Sequence, residues 1–350
     1  MVSVNMAVSL GGLHMKNPLT SASGTFASGR EYAAIWAAAT GGSLGQATAT
    51  GDADTDADSA LLAVGAGGSP AADDTGQSAW LPLSCLGAVT VKGLSLNPWS
   101  GNNGIRVTET ASGMLNSIGL QNPGVEAFCS ADLPWLATQD VPVIVNVSGH
   151  TAREYEAVIE RLEVEPAVSA YELNVSCPNV DEGGMSFGID PSAAAELTAG
   201  CRALSKRPLI VKLSPNVTDI TEVARAVEAA GADAISLINT VAGMAIDVRS
   251  RRPLFERAVA GLSGPAIKPI ALWAVYRVHQ AVGLPLLGMG GVRDVQDVVE
   301  FMLAGACAVA VGTANFSDPM TLPRLVAELE DWCASEGVKD IQELIGGVGQ

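Results

Sequence analysis

Tyr171-Glu172-Leu173-Asn174-Val175-Ser176-Cys177-Pro178-Asn179 begins as an alternating β-strand and runs straight into a lone cysteine fenced by two asparagines and a proline. The strand pattern reaches back to Ser169 and gives out at Val175, where the chain must turn. A helical pattern follows. Ala194, Leu197, Cys201 and Leu204 recur three to four residues apart behind an Asp190-Pro191 start, and a second apolar strand then spans Pro208 to Leu213. The same cadence holds in both directions. Further β-rich runs fall at Pro18 to Ser23, Gly87 to Lys92, Pro142 to Val147, Ala234 to Asn239, Pro285 to Met289 and Cys307 to Val311, and a helix through Ile220, Val223, Val227 and Ala230 is closed by Gly231.

Eight strand-and-helix units in roughly 250 to 300 residues predict an α/β fold of the (β/α)8 TIM-barrel type, with strands covered by helices and therefore nearly continuous in apolar residues. A doubly wound open sheet shares the alternation and is the competing arrangement. In a barrel, function collects at the carboxyl ends of the strands. Those positions hold Ser23, Lys92, Asn146, Asn174, Lys212, Asn239 with Thr240, Gly290 with Gly291, and Gly312 with Thr313. None is apolar, more than turn chemistry alone requires, and the set reads as a binding floor.

Gly288-Met289-Gly290-Gly291 and Gly312-Thr313-Ala314 place bare amides after the seventh and eighth strands, where such barrels hold phosphate. Helices expected near Asp294 and after Asp318 would add their dipoles; the plain alternative is a pair of tight turns. Cys177 at a strand end reads as a reactive group, against the alternative of an inert core thiol. Asn146 could instead close a turn, and Lys212 could snorkel from the mouth.

Four longer stretches carry a family resemblance. Asn174-Val175-Ser176-Cys177-Pro178-Asn179, Val211-Lys212-Leu213-Ser214-Pro215-Asn216, the run from Ala111-Ser112-Gly113 through Asn122-Pro123-Gly124, and Gly261-Leu262-Ser263-Gly264-Pro265-Ala266 resemble class 1 dihydroorotate dehydrogenases. The likeness runs from Leu10 to about Leu344 apart from one insertion. Ile238-Asn239-Thr240 through Arg251-Arg252-Pro253, with Gly288 to Val292, resembles the 1B catalytic subunit more than the fumarate-using 1A type.

The resemblance implies an FMN enzyme that oxidises dihydroorotate to orotate in pyrimidine synthesis. Cys177 matches the family's base for the C5 proton while the flavin takes the C6 hydride, and Lys92 is the candidate positive charge favouring its thiolate. Carried over residue by residue, Lys92, Asn116, Ser117, Ile118, Gly119, Leu120, Asn174, Asn239 and Thr240 would line the orotate pocket; asparagine amides offer the donor and acceptor pair that an imide ring presents. Ser23, Lys92, Gly93, Asn146, Asn174, Lys212, Ile238, Gly264, Gly290, Gly291, Gly312 and Thr313 would hold FMN, with Lys212 near the flavin's N1 and O2. The same resemblance implies a homodimer joined to an electron-transfer subunit carrying FAD and a 2Fe-2S cluster, a heterotetramer that delivers electrons to NAD.

Composition fits one barrel domain over 1–350. The chain is 48% hydrophobic, and its formal charge of −17 disfavours nucleic acid and anionic membranes as partners. Cys85, Cys129, Cys201, Cys307 and Cys333 lack the spacing of a metal or redox motif, so no metal or cluster is expected here. Cys201 and Cys307 fall in helix and strand patterns and are expected to be buried. No signal peptide and no run of eighteen apolar residues is present, which points to a cytoplasmic enzyme with no membrane span.

Residues 40–80 are rich in Ala, Gly, Asp and Ser without a lysine or arginine, and read as an acidic low-complexity insertion between the first helix and second strand. Asp52 to Asp58 within it lack the glycine and glutamate of an EF-hand loop, which favours a solvated loop over a calcium site. The glycine-rich segment Asp181 to Gly188 is long for a βα loop and suggests a lid. A Schiff-base aldolase or phosphate-binding isomerase acting through Lys212 is the rival reading on the same barrel.

Overall fold

The strand-and-helix cadence folds into a closed ring. The computed structural model describes residues 4–39, 83–176 and 187–349. Its eight parallel strands are β1 (Leu19–Ser21), β2 (Val89–Leu94), β3 (Val143–Val147), β4 (Val168–Asn174), β5 (Leu209–Lys212), β6 (Ala234–Leu237), β7 (Leu286–Met289) and β8 (Ala306–Val311). Every neighbour in the order β1-β8-β7-β6-β5-β4-β3-β2 is hydrogen-bonded, and the Thr20↔Ala88 bridge joins β1 to β2. The barrel expectation is met and the open sheet set aside. Strand limits differ from the sequence reading by one or two residues, the largest shift putting Gly93 and Leu94 inside β2.

Helices cover the outer faces: α1 (Arg30–Ala39), α2 (an irregular helical run over 125–136), α3 (Ala152–Glu163), α4 (Pro191–Leu204), α5 (Ile220–Ala229), α6 (Lys268–His279), α7 (Val295–Leu303) and α8 (Thr321–Glu336). Their starts follow capping chemistry. Asp190 accepts from the amides of Ser192 and Ala193 ahead of Pro191, Asp219 accepts from Thr221, and Asp294 forms a reciprocal capping box with Asp297. After β8 the short helix Ala314–Ser317 intervenes before α8, so the expected helix beyond Asp318 is the second of two.

Closure at β1 and β2 rests on hydroxyls as much as on the ladder. Ser21 Oγ donates to Thr90 O and accepts from Thr90 N, both at 3.0 Å, and Thr20 Oγ1 lies 3.2 Å from Thr90 Oγ1. The amino-terminal end is plugged by the hairpin Val8–Leu10 with Leu13–Met15, whose Leu10 and Met15 are buried. Two excursions build over the opposite end. Strands 107–110 and 113–116, between β2 and α2, pair with 241–243 and 260–263, between β6 and α6, in one antiparallel sheet. The expected insertion at 40–80 lies outside the described residues.

Gly87 sits where the closing strands approach, and a Cβ there would fall 1.9 Å from Asn17 O. The obstacle is backbone, which cannot rotate away. Gly87→Ala is expected to lower stability by about 1 to 3 kcal/mol, read from the urea midpoint; an unchanged midpoint would show that the seam tolerates displacement.

Candidate active site at the barrel mouth

The interior below the mouth is polar, and its contacts cross the barrel. On β4 the two-residue period sets Glu172 and Asn174 on one face. Glu172 Oε1 accepts from Ser236 Oγ of β6 at 2.7 Å, although β5 separates those strands in the sheet. A bond between non-adjacent strands must pass through the interior, so this face points inward. Glu172 Oε2 accepts from Asn146 Nδ2 of β3 at 2.5 Å and lies 3.7 Å from Lys212 Nζ of β5. Lys212 Nζ donates to Ser23 Oγ, just past β1 on the far wall, at 3.3 Å. Glu172 is fully buried and Lys212 is 5% exposed. Such charges are tolerated inside a protein only when paired and hydrogen-bonded, as both are here.

Because Glu172 takes the Asn146 amide nitrogen, the Asn146 carbonyl is left facing elsewhere. Asn146 Oδ1 and Ser148 Oγ are both buried without a protein partner. They flank Gly93, where a Cβ would stand 2.7 Å from the first and 3.1 Å from the second. One step nearer solvent, Asn174 Oδ1 accepts from Asn239 Nδ2 at 3.2 Å, and Asn239 Oδ1 accepts from Thr240 N at 2.8 Å. Tyr155 of α3 pins the end of β4 by donating to Asn174 O at 2.8 Å. Asn216 holds the following turn, donating to Thr240 O at 3.0 Å and accepting from Ala242 N at 2.8 Å. Ile238 is buried and donates its amide to Met289 O, tying β6 to β7.

The glycine positions gather at one side. Gly264 and Gly291 have φ of +91° and +84°, a region that side chains rarely adopt. A Cβ on Gly291 would lie 2.8 Å from Gly264 O. Thr313 Oγ1 lies 2.8 Å from Ser263 Oγ, the hydroxyl before Gly264. Gly290 and Gly312 follow directly on β7 and β8, so the backbone of 263–264, 290–291 and 312–313 converges.

Residues 116–120 hang from the antiparallel sheet. Asn116 Nδ2 donates to Gly261 O at 3.2 Å. Asn102 Nδ2 donates to Ser117 Oγ at 3.0 Å and Asn102 N donates to Ile118 O at 3.0 Å. Gly119 adopts φ +73° and Leu120 +57°, with Leu120 O accepting from Asn122 Nδ2 at 2.8 Å. Lys92 is half-buried on β2, its amide donating to Ala27 O. Cys177 and most of the expected lid, 181–186, lie outside the described residues.

Sequence reading singled out the strand-end residues and missed their supports. Glu172, Ser236, Asn102, Asn122 and Asn216 were not foreseen as parts of the site. Glu172 carried a usable signal, a carboxylate inside an otherwise apolar strand two residues before Asn174. The five remaining thiols are unsuited to act as bases: burial pushes Cys85 and Cys333 up to about 11 and Cys201 and Cys307 up to about 12, and raises Cys129. Among the described residues no group of acidic, histidine or cysteine side chains could hold a metal, and no helix is long and apolar enough to cross a membrane.

A (β/α)8 barrel with amide donors, a buried cation and a glycine cradle at its carboxyl mouth has the parts of a cofactor-dependent barrel enzyme. The sequence profile of the dihydroorotate dehydrogenase family matches residues 62–332, and the chain belongs to that family. Relatives named "Dihydroorotate dehydrogenase B (NAD(+)), catalytic subunit" include proteins of Geotalea daltonii, 44% identical over 348 residues and covering 99% of both chains, and of Alkaliphilus oremlandii, 45% identical over 342 residues and covering 98% of both. A third, from Anoxybacillus flavithermus, is 46% identical over 341 residues, 97% of this chain and 95% of its own.

The family is an FMN-dependent oxidoreductase family, and the residues present fit that cofactor. Asn146 Oδ1 is a buried acceptor without a donor, as the imide N–H of a flavin requires. The convergent glycines offer amides for a phosphate, and Lys212 supplies the cation.

The buried thiols set an alkaline limit. Unfolded, they would ionise near pH 8.5, whereas folded they keep their protons to about 11 or 12. Above about pH 8.5 the unfolded state therefore binds fewer protons than the folded one, and stability present below that pH is lost as pH rises. The thermal midpoint is expected to fall between about pH 8 and pH 10.5; a flat profile would contradict the burial of these groups.

Proposed function

We propose that this chain oxidises (S)-dihydroorotate to orotate at FMN, the redox step of pyrimidine synthesis, as the catalytic subunit of an NAD-linked enzyme. The observation that carries the reading is the meeting, at one barrel mouth, of the Asn174 and Asn239 amide pair with the cradle of Gly264, Gly291 and Thr313. Family membership supports flavin chemistry over a Schiff-base role for Lys212, which lies against a buried carboxylate.

In this reading FMN supplies a hydride acceptor for C6 of the substrate. Cys177 takes the C5 proton as thiolate, with Lys92 as the nearby positive charge. Asn116, Ser117, Ile118, Gly119, Leu120, Asn174, Asn239 and Thr240 bind and orient the pyrimidine, and their two-sided amide chemistry suits an imide edge. Ser23, Gly93, Asn146, Lys212, Ile238, Gly264, Gly290, Gly291, Gly312 and Thr313 hold the cofactor. Lys212 places positive charge where the reduced ring accumulates negative charge.

The printed names of the relatives, catalytic subunits of an NAD-linked enzyme, support a partner polypeptide. We assign FAD and a 2Fe-2S cluster to that partner and a homodimer with two such subunits to the assembly, working in the cytoplasm. Residues 1–350 form one FMN-binding barrel domain in this reading, with 40–80 as an insertion loop.

The purified chain is expected to be yellow, and dihydroorotate to bleach it under anaerobic conditions. Cys177→Ala should keep FMN yet slow that bleaching at least about a hundredfold; wild-type rates in the variant would remove Cys177 as the base. Supplied with fumarate, quinone or NAD, the chain should turn over fumarate poorly, and rapid fumarate reduction would overturn the NAD-linked assignment.

A further inference from the structure

Glu172 belongs to none of the groups assigned a direct role, yet its contacts reach three other strands of the barrel. Its carboxylate has no exposed surface, accepts from Asn146 Nδ2 at 2.5 Å and Ser236 Oγ at 2.7 Å, and lies 3.7 Å from Lys212 Nζ. Two consequences follow from elementary chemistry. An ionised carboxylate only accepts hydrogen bonds, so it selects the nitrogen of the Asn146 amide and turns the oxygen away, into the buried position beside Gly93 where it has no protein donor. A buried anion within 4 Å of a buried cation also offsets much of that cation's field on its surroundings.

We propose that Glu172 is a positioning residue for the flavin reaction. It orients the Asn146 carbonyl as an acceptor for an imide N–H and compensates Lys212, so that the floor presents a partly neutralised cation rather than a full one to the bound ring. This rests on the flavin reading above. Ser236 completes the arrangement, holding Oε1 so that Oε2 is shared between Asn146 and Lys212. Two features single Glu172 out from ordinary structural carboxylates. Its three partners come from β3, β5 and β6, and two of them, Asn146 and Lys212, are among the residues expected at the cofactor.

The effect on redox balance has a definite sign. Reduced FMN carries more negative charge next to the ring nitrogen than oxidised FMN, so an uncompensated Lys212 would favour the reduced form. Removing the charge of Glu172 should therefore raise the flavin potential, while a shorter side chain that keeps the charge should disturb the Asn146 contact and leave the charge balance largely intact.

The test uses the full chain and three variants. In Glu172→Gln, the ratio of affinities for reduced over oxidised FMN is expected to rise about tenfold, equivalent to a potential about 30 mV more positive for a two-electron couple. Glu172→Asp should hold the potential near wild type but bind oxidised FMN several-fold more weakly. The apoprotein gives a readout independent of cofactor: Glu172→Gln should lower the melting temperature by leaving Lys212 unpaired, and Glu172→Gln with Lys212→Met should restore it. If Glu172→Gln alone fails to fold, folding of the double variant supports the pairing, and its failure to fold overturns it. An FMN-loaded Glu172→Gln protein with an unchanged or more negative potential overturns the inference alone, whereas a wild-type chain that takes up no FMN overturns the flavin reading on which it rests.

Discussion

The seam between β1 and β2 is the constraint on which the mouth depends. Only when the ring is shut does Ser23, beyond β1, stand opposite Lys212 at the end of β5, with their polar atoms 3.3 Å apart. The ladder at this junction is a single bridge, Thr20↔Ala88. The hydroxyl of Ser21 supplies both a donor and an acceptor to Thr90, so side-chain oxygen stands in for the backbone pairing that short β1 does not extend. Each such bond is worth only about 0.5 to 1.5 kcal/mol net, but the groups are buried, and leaving them unmatched would cost more than making them gains.

Given closure, the interior faces a second requirement. A barrel is normally filled by branched apolar side chains, and below the mouth this one is, through Ile144, Ile210 and the small residues of β8. At the level of Glu172 that filling is replaced by a carboxylate, an amide, a hydroxyl and an ammonium. Replacing a buried ionic group by apolar residues is often neutral or stabilising, so stability alone gives no reason for the arrangement. What the arrangement does fix is a pattern below the mouth, with the Asn146 carbonyl turned away from Glu172 and left without a protein donor, and Lys212 held beside a carboxylate.

Much of the architecture was legible because α/β proteins advertise themselves: proline before a strand, aspartate before a helix, glycine after one. Asp190-Pro191 and Gly231 marked α4 and α5 within a residue of their observed limits. The strand-end polar residues were legible for the same reason, since a barrel confines them to one face. Glu172 was legible only as an out-of-place carboxylate; its role was not, because in a strand buried on both sides period two cannot say which face is the lumen, and its partners lie 26 and 64 residues away. The antiparallel sheet over the mouth escaped for a different reason. Its strands are three or four residues long and contain Gly113, Gly243 and Gly261, too short and too weak in β-propensity to rise above loop.

That small sheet also has a temporal consequence. Asn116 reaches Gly261 O across 145 residues of chain, and Thr313 must arrive beside Ser263 before the glycine cradle exists. As the ribosome delivers the chain, β2 to β5 can begin to associate early, but the Asn116 contact must wait for Gly261 and the convergence of 263–264, 290–291 and 312–313 must wait for the eighth strand to emerge. The mouth is therefore completed only at the end of synthesis, and a truncated or stalled polypeptide would hold much of a barrel while lacking the glycine convergence that its last strand brings together.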